Sequence, residues 1–468
     1  MRSPRWLIPI VLVGLSGRTP IPPLESPRPT ETAAAPITVQ DGFARFRVPP
    51  HRAGELVLVV SALAADRQPF PVSLSVASFQ AHPTQAASPP LLAIHPYRSR
   101  RLAFRSVQFI DGRVIQVSTT ASSRRRRIFD VPLLNGLPAH DGGCVRVVAR
   151  PVASGSRSTV YLDEAAGRDS RHLELAEAVV LWLETTIMPL GDSLVGPPAD
   201  IDNDGRLAIL LTPCLGYLQR GRTTVGGFVR AADFRPNLER PHSNQADMIY
   251  LNTSLVPSLG LGDVLAHEYR HVLSCSNRDA LGRPPEEDWL NEALAHLAEP
   301  GPTNILHRIQ AFLADPSRYP LVVPDYYQAG LWRCDGVRGA TFLFLDWCFQ
   351  QHGEQLAGRL LRSRRTGVAN IEQMTCRRFP GLFRDWSLAM LHGDIPSHPG
   401  GPTLLDWPNA APLQLEIAGT ATAYIAPRRL RPGTVVHVKA PASARLQVTA
   451  TVRPTTEWLP RPNISAVP

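Results

Sequence analysis

Lysine is almost missing: of 49 basic residues, Lys439 alone is not arginine. The +9 balance and the pI near 9.6 would suit a polyanionic partner, but basic residues that are nearly all arginine in an Ala- and Pro-rich chain read as coding bias. No aromatic-rich segment offers the stacking platform that nucleic-acid strands use, so nucleic acid is not the expected partner. Charge is scarce too, at 19%, and aromatics stand at 7%. With 44% hydrophobic residues the chain can nevertheless bury a core, which excludes wholesale disorder. Collagen-like and coiled-coil patterns and internal repeats are absent. Proline (46) outnumbers glycine (33), so long segments must be strand or loop, with helix confined to a limited region.

None of the six cysteines, Cys144, Cys214, Cys275, Cys334, Cys348 and Cys376, lies in a C-x-x-C pair, and they are too sparse for a disulfide scaffold. No pairing is assigned, and Cys348, within the apolar run Phe342 to Phe349, reads equally well as a buried thiol. Apolar runs long enough for a membrane span are not expected anywhere. The run Trp6 to Leu15 is too short for one, but behind Arg2 and Arg5 it reads as a signal peptide, residues 1–17, with Ser16 and Gly17 near the cut. A proline-rich stretch, 18–36, reads as a linker. The expected location is secreted or extracytoplasmic.

A chain of 468 residues suggests two or three domains. Alternation in Phe43 to Val48 and Leu56 to Val60 predicts a β-sandwich-like domain over 37–123, closed by a solvated arginine loop at Arg124 to Arg127. From 128 to 395 the pattern is mixed: strands at Val145–Val148, Thr159–Leu162, Leu207–Leu211 and Met248–Leu251, an amphipathic helix at Leu173–Ile187, and helices dominating from Gly262 to Leu391. Residues 396–468 return to short alternating runs, Thr434–Val438 and Leu446–Val452, and predict a small C-terminal β domain. The expected class is α+β, a central mixed domain flanked by two β domains.

The sharpest motif is His267-Glu-Tyr-Arg-His271, an H-E-x-x-H in a helical pattern. Residues i and i+4 share a helix face, so His267 and His271 can direct two imidazoles at one zinc ion while Glu268 projects beside them as general base. Catalytic zinc needs a third protein ligand and one open position. The metzincin pattern would supply a glycine and a histidine where this chain has Ser274 and Asn277. A second helix is expected instead, opening at Glu286-Glu-Asp288 and running through Trp289 to Glu299. It puts Glu292 on one face with His296 and Glu299, after a turn through Gly282 to Pro285. Glu292 is the expected third ligand; His296 and Glu299 read as hydrogen-bond partners or solvated residues, and Asn291 is ambiguous between the same roles.

In order along 128–395 stand Asp200 to Pro213 (DIDNDGRLAILLTP), Gly226-Gly-Phe228, Ala246 to Asn252 (ADMIYLN), His267-Glu-Tyr-Arg-His271, Trp289-Leu-Asn-Glu292 and Gly339 to Phe344 (GATFLF). Together they resemble the gluzincin metallopeptidases, and more closely the hyicolysin family of secreted neutral metallopeptidases. The resemblance implies a zincin-type domain, one catalytic Zn2+ on His267, His271 and Glu292, Glu268 as catalytic base, and a protein or peptide substrate. It departs at one point: where the family carries a tyrosine before the Gly-Ala, this chain has Arg338. Arginine stays charged and can only donate, so the oxyanion stabiliser is open among Arg338, Tyr326 and Tyr327. A strand near Gly226–Val229 offers backbone to an extended substrate by analogy with zincin edge strands.

Asp200, Asp202 and Asp204 before Gly205 imitate the first half of a calcium loop, but Leu211 stands where the bidentate glutamate belongs, so an Asp/Gly turn before a strand competes with Ca2+. The sequence thus predicts a secreted zinc-dependent peptidase, against an alternative of an extracellular binding or adhesion protein on a zincin scaffold that has lost catalysis.

Overall fold

The computed structural model describes residues 36–50, 55–65, 68–76, 89–90, 92, 126–132, 143–167, 169–216, 225–301, 303–395, 400–428 and 430–453. The expected signal peptide and linker, and most of 77–125, lie outside them. The first strands are β1 (Ile37–Thr38), β2 (Phe43–Arg47), β3 (Glu55–Ser61) and β4 (Phe70–Val76). Strand β3 reads LVLVV without alternation, and the reason is burial on both faces: Leu56, Leu58 and Val60 enter one core while Val57 and Val59 enter another.

The chain next builds a six-stranded mixed sheet from β5 (Arg127–Pro132), β6 (Cys144–Ser154), β7 (Ser158–Asp163), β8 (Leu207–Thr212), β9 (Gly227–Phe228) and β10 (Met248–Asn252), in the order β5-β6-β7-β8-β10-β9. Strands β7, β8 and β10 run parallel, and β9 adds antiparallel to β10 at the end of the sheet. The amphipathic helix expected at Leu173–Ile187 is longer: α1 (Ser170–Trp182) passes through a π-helical turn, Leu183–Ile187, into α2 (Met188–Val195). Pro189 removes one backbone donor from that helix, and the wide turn before it aims Glu184 at the β6–β7 hairpin, where it accepts bonds from Ser156, Arg157 and Ser158 at 2.7–3.0 Å. The run Ser170–Val195 is long and apolar enough to cross a membrane, contrary to expectation. Here its residues Leu175, Ala176, Val179 and Val180 pack into the core that the sheet shares with α3 (Leu259–Asn277).

Helices α4 (Asp288–His296), α5 (Thr303–Ala314), α6 (Asp335–His352), α7 (Gln355–Arg362), α8 (Gly367–Thr375) and α9 (Phe379–Leu391) form the second half of this body. Helix α5 packs closely on α6. A Cβ on Gly339 would lie 2.2 Å from the carbonyl oxygen of Arg308, so only glycine lets the two backbones touch.

Strands β11 (Leu405–Trp407), β12 (Leu413–Ile417), β13 (Thr422–Pro427), β14 (Val435–Lys439) and β15 (Gln447–Arg453) correct the expected layout. They do not make a separate C-terminal domain. They interleave with the first four strands in two sheets, β1-β15-β3-β13-β11 and β12-β4-β14-β2, around one core. The physical reason is that β2 and β4, next to β3 in sequence, lie in the facing sheet, so β3 takes β13 and β15 as partners, satisfying both its edges. The outer face of this sandwich docks on the helices: Val57, Val59 and Tyr424 join the core of α4, α6 and α9, and Tyr424 donates to the Ser387 carbonyl at 2.9 Å. All six cysteines are unpaired.

Candidate metal centre

Helix α3 buries Leu261, Leu265, Tyr269, Val272 and Leu273 against the sheet, which turns His267 and His271 toward α4. What brings α4 within reach is a buried hub in the connection. Arg278 donates to Glu286 (2.7 Å) and to the carbonyls of Pro284 and Arg365, while Glu286 accepts from Asn370 (2.7 Å) and the Gly367 amide (2.6 Å). The acids expected to open the helix at Glu286 therefore serve tertiary bonds: α4 begins at Asp288, whose carboxylate accepts the Tyr326 amide at 2.7 Å. The helix also stops short of Glu299. It ends at His296, because Pro300 disfavours helical backbone before it, and Glu299 returns from the following turn.

His267 Nε2 lies 3.2 Å from His271 Nε2 and 3.4 Å from Glu292 Oε2, and His271 Nε2 is 3.8 Å from Glu292 Oε1. Zinc with ligands at about 2.0–2.1 Å sets tetrahedral donors roughly 3.3 Å apart, so the spacing fits one ion. The donor chemistry fits as well. Burial works against charge on His267, yet Glu292 and Glu299 outweigh it and raise its pKa to about 10, so the surroundings favour a positive charge at this ring, a proton that a bound cation would displace. Burial pushes His271 down to about 4 and keeps its ring neutral, while Glu292 and, more weakly, Asn291 favour the charged form. Burial also opposes ionisation of Glu292, but Arg338 and the two histidines hold its carboxyl well below the usual range. Side-chain exposures of 14% for His267, 12% for His271 and 20% for Glu292 leave the donors reachable from solvent.

Glu268 is buried beside this triad with Oε2 unpartnered, and desolvation raises its pKa to about 7. Strand β9 packs on it: a Cβ on Gly227 would stand 3.1 Å from Glu268 Cγ and 2.9 Å from Leu251 Cδ2. Behind His267, its Nδ1 lies 2.9 Å from Glu299 Oε1, which also receives His296 Nδ1 at 2.5 Å. Arg308 reaches His296 Nε2 at 2.6 Å. Sequence reasoning missed Arg308, because nothing in the local pattern of α5 distinguishes it from a solvated helix residue.

Arg338 contacts Glu292 directly, donates through Nε and Nη2 to the Trp332 carbonyl (3.2 and 3.0 Å), and lies 5.6 Å from the centre of the Tyr326 ring. Tyr326 is buried with its hydroxyl unpartnered, whereas Tyr327 is 38% exposed and stacks on Trp332.

The calcium expectation fails in its residues. Asp200 accepts the amides of Asp204 and Gly205, Asp202 pairs with Arg127 at 2.7 Å, and Asp204 turns to the Arg206 amide. The carboxylates that gather are Asp200, Asp202 and Asp247, the last buried, and the loop's own bonds occupy Asp200, so calcium is not supported.

No family model matches the chain. Over 168 residues, 33% of this chain and 36% of the relative, it is 27% identical to a neutral metalloprotease, ShpI, of Staphylococcus hyicus. The chain thus spans about a third of that protein's length. Two crystal structures of an M1 zinc metallopeptidase from Deinococcus radiodurans, one of a mutant, align over 77% of this chain and 93–94% of theirs at 10–11% identity, with a TM-score of 0.22. An alignment that loose carries no argument. The sequence similarity extends to a metalloprotease without fixing a narrower family.

Proposed function

We propose that this chain is a zinc-dependent peptidase, with the ion on His267, His271 and Glu292. The observation that carries the reading is the convergence of those three donors within 4.8 Å of one another beside the unpartnered Glu268 carboxylate. Zinc held there supplies a Lewis acid and an acidified water. Glu268 takes a proton from the attacking water and returns it to the leaving amine, a task suited to a carboxyl poised near neutrality. Arg338 holds Glu292 in place, which leaves the hydroxyls of Tyr326, buried, and Tyr327, exposed, as the candidates to donate to a developing oxyanion. Strand β9, at the end of its sheet and against Glu268, suits an extended peptide substrate. Secretion is part of the proposal and rests on residues 1–17.

Glu268→Gln should retain zinc and lose chelator-sensitive hydrolysis of unfolded casein; retained hydrolysis would contradict the assignment. One observation favours a second reading, a zinc-binding protein without catalysis: the Arg338 contact engages Glu292 where the resembling family has a tyrosine. Stoichiometric zinc with no casein cleavage by the native protein would select it.

A further inference from the structure

We propose that Arg308, on α5, is a positioning residue for the metal centre, acting through His296 and Glu299 on His267; the inference rests on the zinc reading above. The hydrogen bonds allow one direction only. A guanidinium donates and never accepts, so His296 Nε2, 2.6 Å from Arg308 Nη1 and 3.4 Å from Arg338 Nη1, is an acceptor. The His296 proton therefore sits on Nδ1 and is donated to Glu299 Oε1 at 2.5 Å. The same oxygen accepts His267 Nδ1–H at 2.9 Å, which fixes the His267 ring and aims its Nε2 at His271 and Glu292. The origin of this line is structural: the glycine-only crossing at Gly339 presses α5 onto α6 and brings Arg308 and Arg338 to the same imidazole nitrogen. His296 and Glu299 orient a ligand: the Glu299 carboxylate accepts both Nδ1–H bonds, and Arg308 holds the far nitrogen of His296 as an acceptor.

The test is Arg308→Met in the full chain, with Arg308→Ser as a second variant should the first not fold. Two quantities are read: the zinc dissociation constant by chelator competition, and the protonation of His296 Nε2 by 15N NMR of the metal-free protein. Arg308→Met should weaken zinc binding about 10-fold and leave Nε2 open to a second proton, while Glu299 keeps the first on Nδ1. Arg308→Lys, whose Nζ can donate to the same nitrogen, should recover most of both. A role in packing alone would leave Nε2 unprotonated. Unchanged zinc affinity together with an unprotonated Nε2 in Arg308→Met overturns the proposal. If the native protein takes up no zinc, the zinc reading fails, and the state of Nε2 in the metal-free variant still decides the role of Arg308.

Discussion

Helix α3 presents His267 and His271 from one continuous element, so the 3.2 Å approach of their ring nitrogens follows from i, i+4 spacing. Helix α4 delivers Glu292 by another route: Arg278 and Glu286, both almost fully buried, lock the connection to α7 and α8 and set the helix beside α3. One half of the site is local geometry and the other is tertiary architecture. The difference says where each half should break.

The largest expected effect is chemical and lies on the α3 side. Glu268→Gln should lower kcat by roughly 10²–10⁴-fold with zinc content unchanged, read by casein turnover and metal analysis. Next comes the α4 side. Arg278→Ala leaves Glu286 buried without its cation and should cost about 3–5 kcal/mol, seen in chemical denaturation, with zinc affinity falling as α4 loosens. If zinc affinity held while stability fell, α4 would be placed by something other than the hub. Gly339→Ala forces α5 from α6 against backbone and should cost on the order of 1–3 kcal/mol.

These sites also mark what the sequence makes legible. The H-E-x-x-H pair and the downstream Glu292 can be read because helix periodicity fixes their faces. Arg278 looks like any residue at a helix end, since its burial depends on α7 and α8, which arrive much later in the chain. The sandwich shows the same limit: the strand character of Leu56 to Val60 and Leu446 to Val452 is visible in composition, but that β3 and β15 pair, Val448 opposite Val60, is not. Separate β domains are therefore the natural reading of the sequence, and the structure replaces them with one. Asp247 is missed as a companion of Asp200 for the same reason, because it stands just before β10, a strand that meets β8 only through the fold.

A pH-dependent effect marks the sheet half. Burial raises Asp247 to about 7, above the ~3.9 of an unfolded aspartate, so the folded state holds this proton more tightly. Its contribution is complete below about pH 4 and is lost as pH rises toward 7. Asp247→Asn keeps the acceptor for the Ile201 amide and should flatten stability across that window. An unchanged pH dependence would contradict the assignment.

The most direct measurement of the central claim is zinc per chain in the purified protein and in Glu292→Ala, after equilibration at a defined free-zinc level. The account predicts about one zinc in the native chain and its loss in the variant, because two imidazoles on α3 alone leave a catalytic site one protein ligand short. Equal zinc in both, or none in either, would contradict a centre shared between α3 and α4.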